Sequence, residues 1–329
     1  MKKFLAGICC LLVLFSSCRD REDEPKPAPA PSEENTILAY LVANNNLDND
    51  LLTNIYAMCV GLASMDEEAT LLVYWDGRTA IGPNNSKHLI LKYQTDGKGN
   101  INGIPTSDID KLSEVLELAE IVKEYPAQYS VDKKVMAQVM KDMVAQAPTD
   151  KIGLVFGSHG SSWLNTIYTR SFGQDGAGDT TILIPDMVDA LNSVGKKFEF
   201  ILFDVCYMGT VEVAYSFRNV CNYQLSSVME VPAYGFPYED FMGYLYKGNV
   251  ENYKKACEQF KDIYPEYINN LGYDFDTIIL INNFSTRSIS KAESARSKAQ
   301  SYSSGGGGFS SGGGGGGSFG GGSGGGGFR

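Results

Sequence analysis

Two residues in this 329-residue chain pair a nucleophile with a base: Cys206 and His159. The thiolate is the attacking form of cysteine, and a nearby imidazole can take the thiol proton or hold the sulfur ionised. His159 sits in Gly157-Ser158-His159-Gly160, directly after the apolar run Leu154-Val155-Phe156. Cys206 sits in Asp204-Val205-Cys206-Tyr207-Met208-Gly209, directly after Ile201-Leu202-Phe203. Gly160 has no side chain, so its backbone N–H can approach a substrate carbonyl oxygen. The Cys206 N–H is a second donor, and together the two could form an oxyanion hole. A lone cysteine at a strand end is more often core, and a His-Gly pair is often a turn. The conjunction carries the reading: both follow apolar strands, in His-then-Cys order, about 50 residues apart.

The elements that must position the pair are legible around it. Thr36 to Ala43 reads as a buried strand and Leu47 to Leu62 as a helix. Thr70 to Asp76 and Leu89 to Tyr93 read as strands, with Asp76-Gly77 and Asp96-Gly97 as turns. Ser130 can cap a helix in which Val135, Met136, Val139, Met140, Met143 and Val144 recur at helical spacing, and Pro148 ends it. Ile152–Phe156 and Phe198–Phe203 are short apolar strands, Thr210–Val220 a helix and Tyr223–Val228 a strand. This alternation predicts an α/β fold with a mostly parallel sheet and helices on both faces. In such sheets reactive groups collect past the carboxyl ends of strands. If the two apolar strands are neighbours, His159 and Cys206 converge at one edge.

Longer blocks around the pair resemble the clostripain family of cysteine peptidases, in the clan of caspases, gingipains and legumain. They are Ser158-His159-Gly160, the run from Asp204 through Tyr215, and Ser227 to Tyr238 with Glu230, Pro232, Gly235 and Tyr238 in place. Tyr40-Leu41-Val42-Ala43-Asn44-Asn45-Asn46-Leu47 is similar to the family's first motif, which commonly carries an Asp among these polar residues. The resemblance spans roughly Ile37 to Asn283. It implies a caspase-like fold, a Cys206/His159 dyad and cleavage after Arg or Lys. It also implies that Asp204 binds the basic side chain, as a carboxylate can clasp a guanidinium, and that Glu230 is a second pocket acid. Many members cut themselves between the two catalytic blocks. Arg170 is the only basic residue in the polar, Gly-rich stretch Thr169–Asp179, which makes it the expected cleavage site, with Lys196 or Lys197 as alternatives.

The remaining features are weaker. Asp175 and Asp179 invite a calcium reading, since some family members depend on calcium, yet two acids do not supply enough oxygen ligands. No cofactor is expected to be required. His88 reads as structural, and Trp75 and Trp163 as packing residues. With two histidines and no Cys-x-x-Cys pair among seven cysteines, a Cys/His zinc site is not expected, nor is a disulfide framework. The net charge is −11 with no Lys/Arg cluster, which argues against nucleic acid as a partner.

The ends of the chain are distinct from its middle. Lys2-Lys3 followed by the apolar run Phe4–Phe15 reads as a signal peptide over 1–17. Phe15-Ser16-Ser17-Cys18 resembles a lipobox of the Bacteroidetes lipoprotein type, which would lipidate Cys18; an ordinary secretory peptide is the alternative. An acidic stretch and an alternating-proline spacer fill 18–34, extending about 3.1 Å per residue. The expected consequence is export and a lipid anchor in the outer membrane, exposed at the surface. The peptidase domain is expected over 35–300. Residues 301–329 hold 17 of the 36 glycines and read as a low-complexity, disordered tail. A competing reading from another class is a surface lipoprotein that keeps the fold and binds without catalysis. A third keeps the chemistry but cuts after Asn or Asp, which the charge of Asp204 disfavours for an acidic residue.

Overall fold

A computed structural model describes residues 34–82, 84–109, 112, 114–161, 171–176, 180–263 and 278–282. The expectations for the signal segment, Cys18, the spacer, Trp163, Arg170, Asp179 and the Gly-rich tail lie outside these residues. The chain opens with β1 (Thr36–Val42), α1 (Asp48–Ala63), β2 (Glu68–Ile81) and β3 (Ser86–Asp96). Short pieces follow: β4 (Asn100–Ile101), β5 (Ile104–Pro105), α2 (Glu114–Glu117) and β6 (Glu120–Glu124). Next come α3 (Lys133–Gln146), β7 (Ile152–Gly157), the hairpin of β8 (Ser171–Asp175) and β9 (Thr180–Leu183), and α4 (Ile184–Asn192). The last part is β10 (Phe198–Asp204), α5 (Val211–Phe217), β11 (Cys221–Ser227), α6 (Tyr238–Lys247), α7 (Val250–Ile263) and β12 (Ile278–Asn282).

One large sheet runs in the order β12-β11-β10-β7-β1-β2-β3-β4-β5, with β6 also paired to β3. The five strands from β11 to β2 are mutually parallel. Both flanks are antiparallel, so the parallel expectation holds for the centre and not for the edges. The reason on the β3 side is chain length: β2 and β3 are joined by a short reversal, which can only pair strands antiparallel, whereas parallel neighbours need a crossover.

Strand β1 explains the two-faced core. Ile37, Ala39 and Leu41 point into a cluster with residues of α1, α6 and α7. Leu38, Tyr40 and Val42 point into the opposite cluster with residues of α3, α4 and α5. All seven β1 residues are buried, because helices cover both faces; the one hydroxyl at its start, Thr36, lies 2.7 Å from the Thr149 hydroxyl.

Two local expectations fail. Asp76-Gly77 is no turn: β2 continues to Ile81 with an irregular register after Asp76. The indole of fully buried Trp75 lies over Gly77, which leaves no room for a side chain there. Ser130 does not cap α3. Asp132 does, accepting from the N–H groups of Lys134 and Val135. Ser130 is buried instead, with its hydroxyl 2.8 Å from the Tyr74 hydroxyl. The predicted helix after Thr210 is also shorter than read, with Thr210 as its cap.

Candidate active site

Strands β7 and β10 are hydrogen-bonded neighbours, with Phe203 opposite Phe156 and Asp204 opposite Gly157. The His159 and Cys206 segments therefore leave the sheet side by side at its carboxyl edge. The cysteine turn packs against Gly160. A Cβ built there would lie 2.1 Å from Val205 Cγ1, 3.1 Å from Met208 Cε and 3.4 Å from the Cys206 carbonyl oxygen. Glycine at 160 is thus what allows the histidine turn to lie against the cysteine turn.

Each turn is fixed from several sides. Ser158 donates to the Val42 carbonyl at 2.8 Å and accepts from the Gln174 N–H at 3.3 Å. The His159 carbonyl accepts the Gly173 N–H at 2.8 Å, and Gly160 forms a bridge with Phe172. So β8 clasps the histidine turn. On the cysteine side, the Tyr207 N–H donates to the Met229 carbonyl at 2.9 Å and the Gly209 N–H to the Ser227 carbonyl at 2.7 Å. A Cβ at Gly209 would lie 2.8 Å from Ser227 backbone, so the turn after Cys206 closes directly on the chain after β11. Tyr207 pays the conformational cost of that closure with φ of +62°, a left-handed conformation rare for a bulky residue. Such strain gathers at functional sites when the surroundings enforce it.

Cys206 is 2% exposed. Its sulfur accepts the Val231 N–H at 3.2 Å, and its thiol lies 3.8 Å from the Val231 carbonyl as donor. The Val231 peptide thus meets the Cys206 sulfur with both its N–H and its carbonyl. His159 is half-buried, and its Nε2 lies 2.7 Å from Asn46 Oδ1.

The two acids differ in setting. Asp204 is fully buried, and its Oδ2 accepts from Asn54 Nδ2 at 2.9 Å and from the Tyr238 hydroxyl at 2.8 Å. It ties the end of β10 to α1 and α6. A guanidinium reaching Asp204 must share it with those two donors. Glu230 is half-buried beside the cysteine turn, where its Oε1 accepts the Tyr207 hydroxyl at 2.6 Å.

Asn46, Asn54, Tyr238 and Val231 were missed as site residues. Asn46, Tyr238 and Val231 stand inside the quoted motifs. Val231 acts through its backbone, and Asn54 sits 150 residues from its partner, so neither side chain marks its role in sequence.

Asp175, the described member of the acid pair that invited a calcium reading, is held by two donors. One oxygen accepts from Asn44 Nδ2 at 3.0 Å and the other from the Ser130 N–H at 2.6 Å. The Asp76 carboxyl is its neighbour in the same buried cluster. Among the described residues no three His, Cys, Asp or Glu side chains are grouped to hold a metal ion. Cys59, Cys206, Cys221 and Cys257 are not disulfide-bonded. Burial pushes the Cys257 thiol up to about 12 and the Cys59 thiol higher still, which makes both inert near neutrality.

His88 and Asp76 form a separate buried pair, with Nε2 3.3 Å from Oδ1. Burial, and then the charge of Asp175, push the Asp76 carboxyl up to about 8, while burial lowers the His88 imidazole. Near neutrality this is therefore a contact between largely uncharged groups rather than an ion pair.

Comparison with known proteins places the chain in a family. The clostripain family profile matches residues 39–298. A secreted C11 cysteine protease from Bacteroides thetaiotaomicron, solved with an irreversible peptide inhibitor, is 30% identical with a TM-score of 0.61, covering 76% of this chain and 66% of that one. An inactive zymogen C11 protease from Parabacteroides distasonis is 24% identical with a TM-score of 0.57, covering 78% and 63%, and supports the fold alone. The chain thus spans about two thirds of the length of these solved relatives. Among curated proteins none matches.

Proposed function

This chain belongs to the clostripain family, and from that premise we propose that it is a cysteine endopeptidase cleaving after Arg or Lys, with Cys206 as nucleophile and His159 as base and acid. The observation that carries the reading is the contact of Gly160 with the Val205–Met208 turn, which sets the two segments against each other. The Cys206 thiolate attacks the scissile carbonyl, and the oxyanion is held by the N–H groups of Gly160 and Cys206. His159 gives its proton to the leaving amine, and the thioester is then hydrolysed by a water that His159 deprotonates. The named residues perform each step without a resident cofactor.

Glu230 and Asp204 are the proposed acids for the basic side chain, Glu230 being the more accessible. Self-cleavage after Arg170 and a lipid anchor at Cys18, carrying the protein to the outer-membrane surface, complete the proposal. Its support is the sequence at those positions.

The test is hydrolysis of fluorogenic peptides ending in Arg, Lys, Asn and Asp by the full chain and by Cys206→Ala. Cleavage after Arg or Lys that vanishes in Cys206→Ala is expected, together with an uncut Arg170 bond in the variant. No turnover on any peptide would favour a binding role, and activity in Cys206→Ala would remove the mechanism. Loss of membrane fractionation in Cys18→Ala tests the anchor.

A further inference from the structure

We propose that Asn46 is a positioning residue that holds His159 with its proton on Nε2, leaving Nδ1 as the basic nitrogen; this rests on the peptidase reading above. Three consecutive strands in the sheet, β10, β7 and β1, each deliver one polar residue past their carboxyl ends: Cys206, His159 and Asn46. Asn46 stands on the far side of His159 from the strand that carries Cys206. Its Oδ1 lies 2.7 Å from His159 Nε2. An amide oxygen only accepts, so Nε2 must donate. The neutral ring then has its lone pair on Nδ1, and the imidazolium keeps the same hydrogen bond. Both protonation states used in the reaction are therefore held in one orientation.

The backbone at Asn46 is anchored for such a role. Its neighbour Asn45 is 4% exposed and donates to the carbonyls of Val42 at 2.9 Å and Gln174 at 2.7 Å. Asn45 Oδ1 accepts the Leu47 N–H at 2.8 Å. Asn44 donates to Asp175 Oδ1 at 3.0 Å, and its carbonyl accepts the Gly176 N–H at 3.0 Å. Three successive asparagines thus have distinct tasks: two bind the β8 segment to the end of β1, and the exposed third reaches the imidazole.

The experiment is imidazole NMR on the full chain in a Cys206→Ala background, which removes self-cleavage. The chain has two histidines, so His88→Gln assigns His159 by elimination. Neutral His159 is expected as the Nε2–H tautomer, with a mixture of tautomers in Asn46→Ala. Asn46→Asp places a carboxylate at the same acceptor and should raise the His159 pKa by roughly one unit. In the active protein, Asn46→Ala should lower kcat about tenfold with KM little changed. Asn46→Asp should recover part of the loss and move the alkaline limb of the pH profile upward. An Nδ1–H tautomer, or NMR spectra unchanged in Asn46→Ala, would overturn the positioning role while leaving peptide cleavage intact. The reverse result, the expected tautomer without peptide hydrolysis, would overturn the peptidase reading alone.

Discussion

Cys206 is 2% exposed, and its sulfur receives the Val231 N–H at 3.2 Å. Burial alone would raise a thiol's pKa, as it does at Cys59. At Cys206 a backbone N–H is directed at the sulfur as well, and no residue type announces it, because any residue at 231 except proline supplies the same donor. Gly160 is the opposite case, a residue whose identity is decisive. In Gly160→Ala the new methyl meets the stiff, buried Val205 side chain. The expected outcome is a loss of about 1–3 kcal/mol in stability and a fall in kcat larger than any change in KM. Peptide kinetics alongside urea unfolding would show it. A variant with wild-type kcat would mean that the approach of the two turns does not matter to the chemistry.

Among the elements, the strands nearest the site were the most legible. Leu154–Phe156 and Ile201–Phe203 are short, wholly apolar and bounded by polar turns, and they appear as β7 and β10. The edges were less legible. Asp76-Gly77 looks like a turn by composition, but the glycine serves the Trp75 ring and the strand runs on. The cap of α3 was misread by two residues, since Ser130 and Asp132 have equally good capping chemistry and only the path of the chain selects between them. Asp132→Ala should cost about 1 kcal/mol, read as a lower denaturation midpoint, whereas Ser130→Ala should not remove the cap hydrogen bonds to Lys134 and Val135. Equal helix fraying in both variants, followed by amide exchange, would contradict the assignment.

Across the whole molecule, the buried Asp76 makes stability depend on pH. Its folded-state pKa stands near 8, above the usual aspartate value of about 3.9. The folded protein therefore binds more protons than the unfolded chain between those values, and stability falls as pH rises through that window. Above about 8 the penalty is fully present. Asp76→Asn cannot ionise, so the variant should gain on the wild type at pH 9 relative to pH 5. Denaturation midpoints at the two pH values test this, and a constant gap would show that Asp76 does not carry the effect. The fold tolerates this group because Asp76, Asp175, Ser130 and His88 together occupy the space between β2, β3 and the β8 turn.

From sequence alone came the residues with reactive groups, the apolar strands that end at them and the alternation of strands and helices. These are local properties, set by residue type and by periodicity along a few turns or pleats. The tertiary structure decided which strands are neighbours, and so which turns meet. It put β1 beside β7, which brought Asn46 to His159, and α1 and α6 beside β10, which enclosed Asp204 between Asn54 and Tyr238. It also aimed the Val231 backbone at Cys206. Contacts of this kind join residues far apart in the chain. They depend on the packing of whole elements, which residue type and spacing do not encode.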